Sequence, residues 1–198
     1  QKDFKQLYKA PEKDVVFVEV PPIRYLMVDG QGDPNTVPEF QTAVETLYGT
    51  AYTIKFSLKK AAIGPEYTVP PLEGLWWCEG MEGFDKERKD LWCWTLMIPQ
   101  PAHISEEILT SALSEMAAKG KAVSPGRIRL ETLEEGLCVQ TMHVGPYTDE
   151  EPTIEAMHRL AAEKGYSLRG RHHEVYLSDP RRTSPEKLKT ILRHPVKN

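Results

Sequence analysis

His143-Val-Gly145-Pro146-Tyr147-Thr148-Asp-Glu-Glu151 holds a strand end, a turn and a helix start within one short stretch. Leu137–Val144 runs into it as an extended, largely apolar segment, and Gly145-Pro146 breaks that segment. Thr148-x-x-Glu151 has the spacing of a capping box. The helix it opens runs to Lys164-Gly165, where glycine provides a left-handed stop. Strands are expected at Tyr166–Leu177 and Lys187–Arg193, with Asp179-Pro180 and Ser184-Pro185 in the loop between them.

The same succession is present in the first half. Ile23–Asp29 alternates as a strand and Gly30-Gln-Gly32-Asp-Pro34 ends it. From Pro38, Phe40, Val44, Leu47, Ala51, Ile54 and Leu58 recur at spacings of four and three, one face of an amphipathic helix with proline in its first turn. Strands through Tyr67–Cys78 and Leu91–Ile98 follow, separated by the charged loop Glu79–Asp90. The turns Val28–Asp33 and His143–Thr148 hold equivalent places, as do Leu75–Cys78 and Glu174–Leu177. The closing strands both end in proline, at Ile98-Pro99 and His194-Pro195. At the start of the second half, Ile128–Leu133 and Leu137–Val144 read as strands joined by a hairpin-like turn at Glu134-Glu-Gly136.

The expected fold class is therefore α+β: duplicated strand-helix-strand-strand modules forming an antiparallel sheet, with helices on one face and a central ligand cleft. Residues 1–198 read as one domain with pseudo-repeats at about 15–100 and 125–196. A linking helix at about 105–119 begins at Ser105 as N-cap, carries Ile108, Ala112 or Leu113, and Met116 as its stripe, and stops at Gly120.

The bulk numbers agree with a soluble domain of ample core: 198 residues, 40% apolar and 27% charged. No signal peptide or membrane-length apolar run is evident, and Cys78, Cys93 and Cys138 lack metal or redox spacing. A cytoplasmic protein is expected. The net charge of −4 conceals a basic end, since residues 166–198 carry eight Lys/Arg against three acids. With no helix-turn-helix, zinc-finger or RNA-binding signature beside it, that end reads as a solvated face.

All four tryptophans lie between residues 76 and 94. Alternate strand side chains share a face, so Glu73, Leu75 and Trp77 point together, as do Trp92, Trp94, Leu96 and Ile98. Glu174 and Tyr176 likewise point together, with Val175 and Leu177 turned the other way, under the helices. An acid accompanied by aromatics fits a strand lining a pocket; a solvent-facing Glu–Tyr pair would give the same pattern. His143, just before the turn, is placed as a hydrogen-bonding group in the pocket wall. His172 and His173 are adjacent and point to opposite faces, so no metal site is expected, and no cofactor. Ser-His-Asp order, a Gly-rich phosphate loop and Cys–His pairing are all missing, and Cys78 and Cys93 read as core.

His143-Val-Gly-Pro-Tyr147-Thr, the helix, Glu174-Val-Tyr176-Leu-Ser-Asp179-Pro180 and Leu192-Arg-His-Pro195-Val together resemble the GyrI-like small-molecule-binding domain. Pro71-Leu-Glu-Gly-Leu-Trp-Trp77 resembles the long stand-alone branch of that family. The resemblance implies a stand-alone binding protein for lipophilic, aromatic or cationic compounds, hence xenobiotic or multidrug binding. It also implies a possible hydrolase of cyclopropane-bearing DNA alkylators, with Glu174 and Tyr176 as catalytic candidates. The implied cage comprises Trp77, Trp94 and Tyr176, with Tyr67 and Trp92 behind, and Tyr147, His143 and Glu73 as further ligand contacts. Expected partners are hydrophobic or cationic small molecules, with no membrane and no direct nucleic-acid binding. A ligand-sensing or DNA gyrase-modulating protein without catalysis is the alternative, although no residue pattern marks a gyrase interface.

Overall fold

Helix α1 (Pro38–Ala61) forms where the apolar stripe requires it, with Leu47, Ala51, Ile54 and Leu58 buried and proline in the first turn. It ends on Ala62, whose left-handed φ of 55° is adopted without glycine. The computed structural model describes residues 5–79, 88–120 and 128–198. Most of the charged loop expected at Glu79–Asp90, and the start of the second repeat expected near 125, lie outside the described residues. The remaining elements are β1 (Val16–Val20), β2 (Ile23–Gln31), β3 (Glu73–Cys78), β4 (Trp92–Gln100), α2 (Glu106–Ala118) and β5 (Ile128–Leu133). They continue with β6 (Gly136–Val144), α3 (Glu151–Glu163), β7 (Ser167–Leu168), β8 (His172–Tyr176) and β9 (Lys189–Lys197). The fold is α+β with antiparallel strand pairs. Among the described residues no helix is long and apolar enough to cross a membrane.

The chain divides into two compact units, Gln1–Pro22 with Pro71–Leu75 and Glu134–Asn198, and Ile23–Pro70 with Trp76–Leu133. In the second of these, the strands follow the order β3 (from Trp76), β4, β2, β5. Gly30 pairs with Trp94, Val28 with Leu96 and Leu26 with Ile98, so these residues form one face. Helix α1 covers it, since Phe40 meets the Trp94 ring edge-on at 5.1 Å. Helix α2 starts at Ser105, whose Oγ accepts from the Ile108 amide, and packs on α1 through Thr50–Met116 and Ser57–Glu115 contacts. Its buried stripe is Leu109, Ala112 and Met116, so Leu109 takes the place expected for Ile108.

The first unit orders its strands β1, β6, β9, β8 and then the start of β3, with β7 on β9. Three expectations are corrected here. The hairpin through Glu134-Glu-Gly136 does not form: β6 pairs with β1 and β9, while β5 pairs with β2. Strand β1 takes the edge of β6 that a hairpin partner would need. The capping box at Thr148 is also absent, because Tyr147–Asp149 forms a 3-10 turn and Glu150 stands at the N-cap without a side-chain bond. The expected strand Tyr166–Leu177 is two strands, divided at Gly170, where φ is +66°.

A fourth correction concerns faces. Glu174 lies directly across from Leu192, which packs with Val139 against Met157 and Ala161 of α3. Glu174 and Tyr176 are therefore on the helix side of the sheet. Val175 packs instead with Met142, Ile191, Leu177, Tyr8 and Ala10. The segment before β1 covers that face, so both faces of this unit are covered and the helix does not mark the apolar one.

Candidate functional site

At the end of β8, Tyr176 Oη donates to Glu174 Oε2 at 2.7 Å. Strand alternation brings the two side chains together, and the Tyr176 amide donates to Leu72 O, anchoring the strand. Tyr147, in the turn before α3, meets the Tyr176 ring edge-on with centroids 5.8 Å apart. The other carboxylate oxygen of Glu174 lies 3.3 Å from His172 Nε2, and the Glu174 side chain is 13% exposed. Tyr147 is 40% exposed, so the group opens to solvent on the tyrosine side. Burial, then the charges of Glu150, Glu174 and Asp179, push the Tyr147 phenol up to about 12. It is therefore a protonated donor at neutral pH, set in a field of carboxylates that favours a cation. Glu150 is the member of this group that strand reasoning missed, since it stands in the turn rather than on a strand.

His143 supports the site from beneath. Its Nε2 lies 3.2 Å from Pro146 O and its Nδ1 3.1 Å from Thr153 Oγ1. A carbonyl only accepts, so Nε2 carries a proton and donates it to Pro146 O. The ring is 7% exposed and ties the Gly-Pro turn to α3.

Glu73 is on the opposite side of the chemistry. It is 2% exposed, accepts from Tyr8 Oη at 3.1 Å and lies 2.9 Å from His173 Nε2. His173 Nδ1 is 3.0 Å from Glu135, which also faces Arg193 at 3.7 Å. Arg193 donates to Gln140 and to Leu7 O. Burial would lower the His173 pKa, but Glu135 and Glu73 on either side outweigh it and hold it up to about 9. Burial would raise Glu135, yet His173 and Arg193 hold it below the usual carboxylate range. Alternating signs make this a self-neutralised buried network that fastens the N-terminal segment to the sheet.

The tryptophans are packed in the second unit. Phe40 stacks on Trp76 at 6.0 Å and meets Trp94 edge-on, and Trp76 meets Trp92 edge-on at 6.0 Å. Trp94 is 1% exposed and lies across Gly30, where an added Cβ would fall 2.1 Å from the indole. Trp92 is half-buried under Lys89 Nζ at 5.4 Å, and Trp77 is half-buried on the opposite side of β3 from Trp76. Tyr67 is buried edge-on to His103, and burial pushes its phenol up to about 12. Of the residues singled out from sequence, Glu174, Tyr176 and Tyr147 are thus brought together, with His143 behind them. Glu73 joins the buried network, and Trp94 and Trp92 share a cluster with Trp76 rather than with Trp77.

Residues 13–197 match the family model of the GyrI-like small molecule binding domain. An uncharacterized conserved protein from Listeria innocua is 43% identical, with a TM-score of 0.91 over 99% of this chain and 98% of that one. A Listeria innocua hydrolase encoded by lin2189 is 41% identical, with a TM-score of 0.86 over the same shares of the two chains. A further hydrolase structure from Listeria innocua is 39% identical, with a TM-score of 0.85 and the same coverage. No curated protein matches the chain.

Proposed function

The chain belongs to the GyrI-like small molecule binding domain family, and we propose that it binds flat aromatic or cationic compounds and hydrolyses the reactive ones. The observation that carries this reading is the Tyr176–Glu174 bond at 2.7 Å beside the edge-on Tyr147 ring. A carboxylate half-withdrawn from water between phenols offers a cation both a counter-charge and ring faces. Each favourable ring face contributes roughly 0.5–2 kcal/mol. Such a site selects for charge and flatness rather than detailed shape, as a xenobiotic-binding protein requires.

The same groups suit water addition to a strained ring, as in a cyclopropane-bearing alkylator. Glu174 takes a proton from water as the oxygen attacks the ring carbon. The carbon–carbon bond breaks, its electron pair passes to the conjugated carbonyl oxygen, and Tyr147, held protonated, donates to that oxygen. The likeness of this chain to two Listeria innocua hydrolases favours turnover over binding alone.

Mass-spectrometric detection of ring-opened product from a cyclopropanoid probe tests this. Replacing Glu174 with Gln is expected to slow product formation by about 100-fold or more, the usual worth of a general base. Equal rates for both proteins would remove Glu174 from the chemistry, and tight binding without product would leave a sequestering protein.

A further inference from the structure

His172 opens β8 and His194 lies near the end of β9. Since His173 stands directly across from Arg193, the register sets His172 opposite His194 one step further along, on the shared helix-side face. His158 descends on them from α3. The His158 and His194 rings meet edge-on with centroids 5.0 Å apart, and His172 and His194 are 6.0 Å apart. One ligand nitrogen from each lies within 4.8 Å of the other two, the one grouping of three metal-capable side chains found among the described residues.

The hydrogen bonding of these rings is equally telling. His158 Nε2, His194 Nδ1 and His172 Nδ1 are buried without a hydrogen-bond partner among the described residues, and His172 Nε2 has the Glu174 carboxylate 3.3 Å away but makes no hydrogen bond to it. One unsatisfied imidazole is an ordinary packing compromise, but three in mutual contact repeat the same penalty at one point. A shared cation would satisfy all three.

We propose that His158, His172 and His194 form a three-nitrogen site for a divalent transition-metal ion of the zinc, cobalt or nickel class. Imidazole nitrogen suits these ions, whereas magnesium and calcium demand oxygen ligands. Zinc–nitrogen bonds of about 2.0–2.1 Å at tetrahedral angles require nitrogens about 3.4 Å apart, so the rings must draw together by about 1 Å on binding. Glu174, 3.3 Å from His172 Nε2, stands where an outer carboxylate would orient a ligating histidine. Three protein ligands leave a fourth position for water or a small molecule. The adjacent pair considered from sequence, His172 and His173, does not take part as a pair, because His173 is on the other face between its two carboxylates.

Zinc titrated calorimetrically into the chelator-stripped full chain tests the site, with metal content measured after dialysis. One ion per chain is expected, together with a higher melting temperature when zinc is present. His158→Ala and His194→Ala should each weaken binding by about 100-fold or more and abolish the thermal shift. His158→Gln, which keeps the helix and most of the packing volume, serves if the alanine variant fails to fold. Cobalt substituted into the wild type should give the visible absorption of a four-coordinate nitrogen site. A wild-type chain that retains no more zinc than the His158→Ala/His194→Ala double variant, or binds it with equal affinity, would overturn the assignment.

Discussion

In the second unit Phe40, Trp76, Trp92 and Trp94 pack ring against ring, with Trp94 lying across Gly30. In the first unit Tyr147 and Tyr176 meet edge-on beside a carboxylate that one of them bonds. Both groupings lie on the helix-covered side of their strands. What separates them is the polar atom. Trp94 Nε1 is buried with no hydrogen-bond partner among the described residues, a mark of a ring placed for bulk. The Tyr176 hydroxyl instead serves an acid, and Tyr147 remains accessible. An unusual density of tryptophan thus marks the core here, and the rarer combination of phenol with carboxylate marks the proposed site.

This contrast is most easily broken at Trp94. Trp94→Ala should lower unfolding free energy by about 3–5 kcal/mol, read as a shift in denaturant midpoint, because it empties the centre of the cluster. A loss under about 1 kcal/mol would mean that the indole is not core. The buried network of the first unit comes next. Glu135 and Glu73 hold folded His173 up to about 9, above the roughly 6.5 of a free imidazole. Its contribution is therefore complete below about pH 6.5 and fades as pH rises through 9, on the order of 3 kcal/mol in all. Urea unfolding at pH 6.5 and 9.5 measures this, and His173→Gln should flatten the difference. Gly30→Ala should cost about 1–3 kcal/mol, since the new methyl must displace a buried indole. Tyr147→Leu should be nearly silent in stability and weaken a bound aromatic cation by roughly 0.5–2 kcal/mol, measured by calorimetry.

The reach of the sequence can be traced residue by residue. Leu47, Ala51, Ile54 and Leu58 were legible as a helix face because a single amphipathic period specifies them. Ser105 was legible as a cap for a local reason, one oxygen over one amide. Glu174 and Tyr176 could be paired because alternation on one strand needs no tertiary information. Their side of the sheet was not legible, since nothing local tells that Tyr8 and Ala10 return to cover Val175. The hairpin expected at Glu134–Gly136 failed for the same reason, the competition from β1 being non-local. His158, His172 and His194 carry no motif spacing at all; a strand register and a helix crossing bring them together.

The proposed division of labour gives ligand binding to Glu174, Tyr176 and Tyr147 and leaves Trp94 and its neighbours as core. Calorimetric titration of wild type, Glu174→Gln and Gly30→Ala with one rhodamine-like cation tests it most directly. Glu174→Gln is expected to melt within about 1 kcal/mol of wild type, yet bind roughly 10-fold more weakly, because the counter-charge is gone. Gly30→Ala should melt earlier and bind with unchanged affinity while folded. Unaltered affinity in Glu174→Gln, with affinity lost in Gly30→Ala, would contradict the account and return the ligand to the tryptophans.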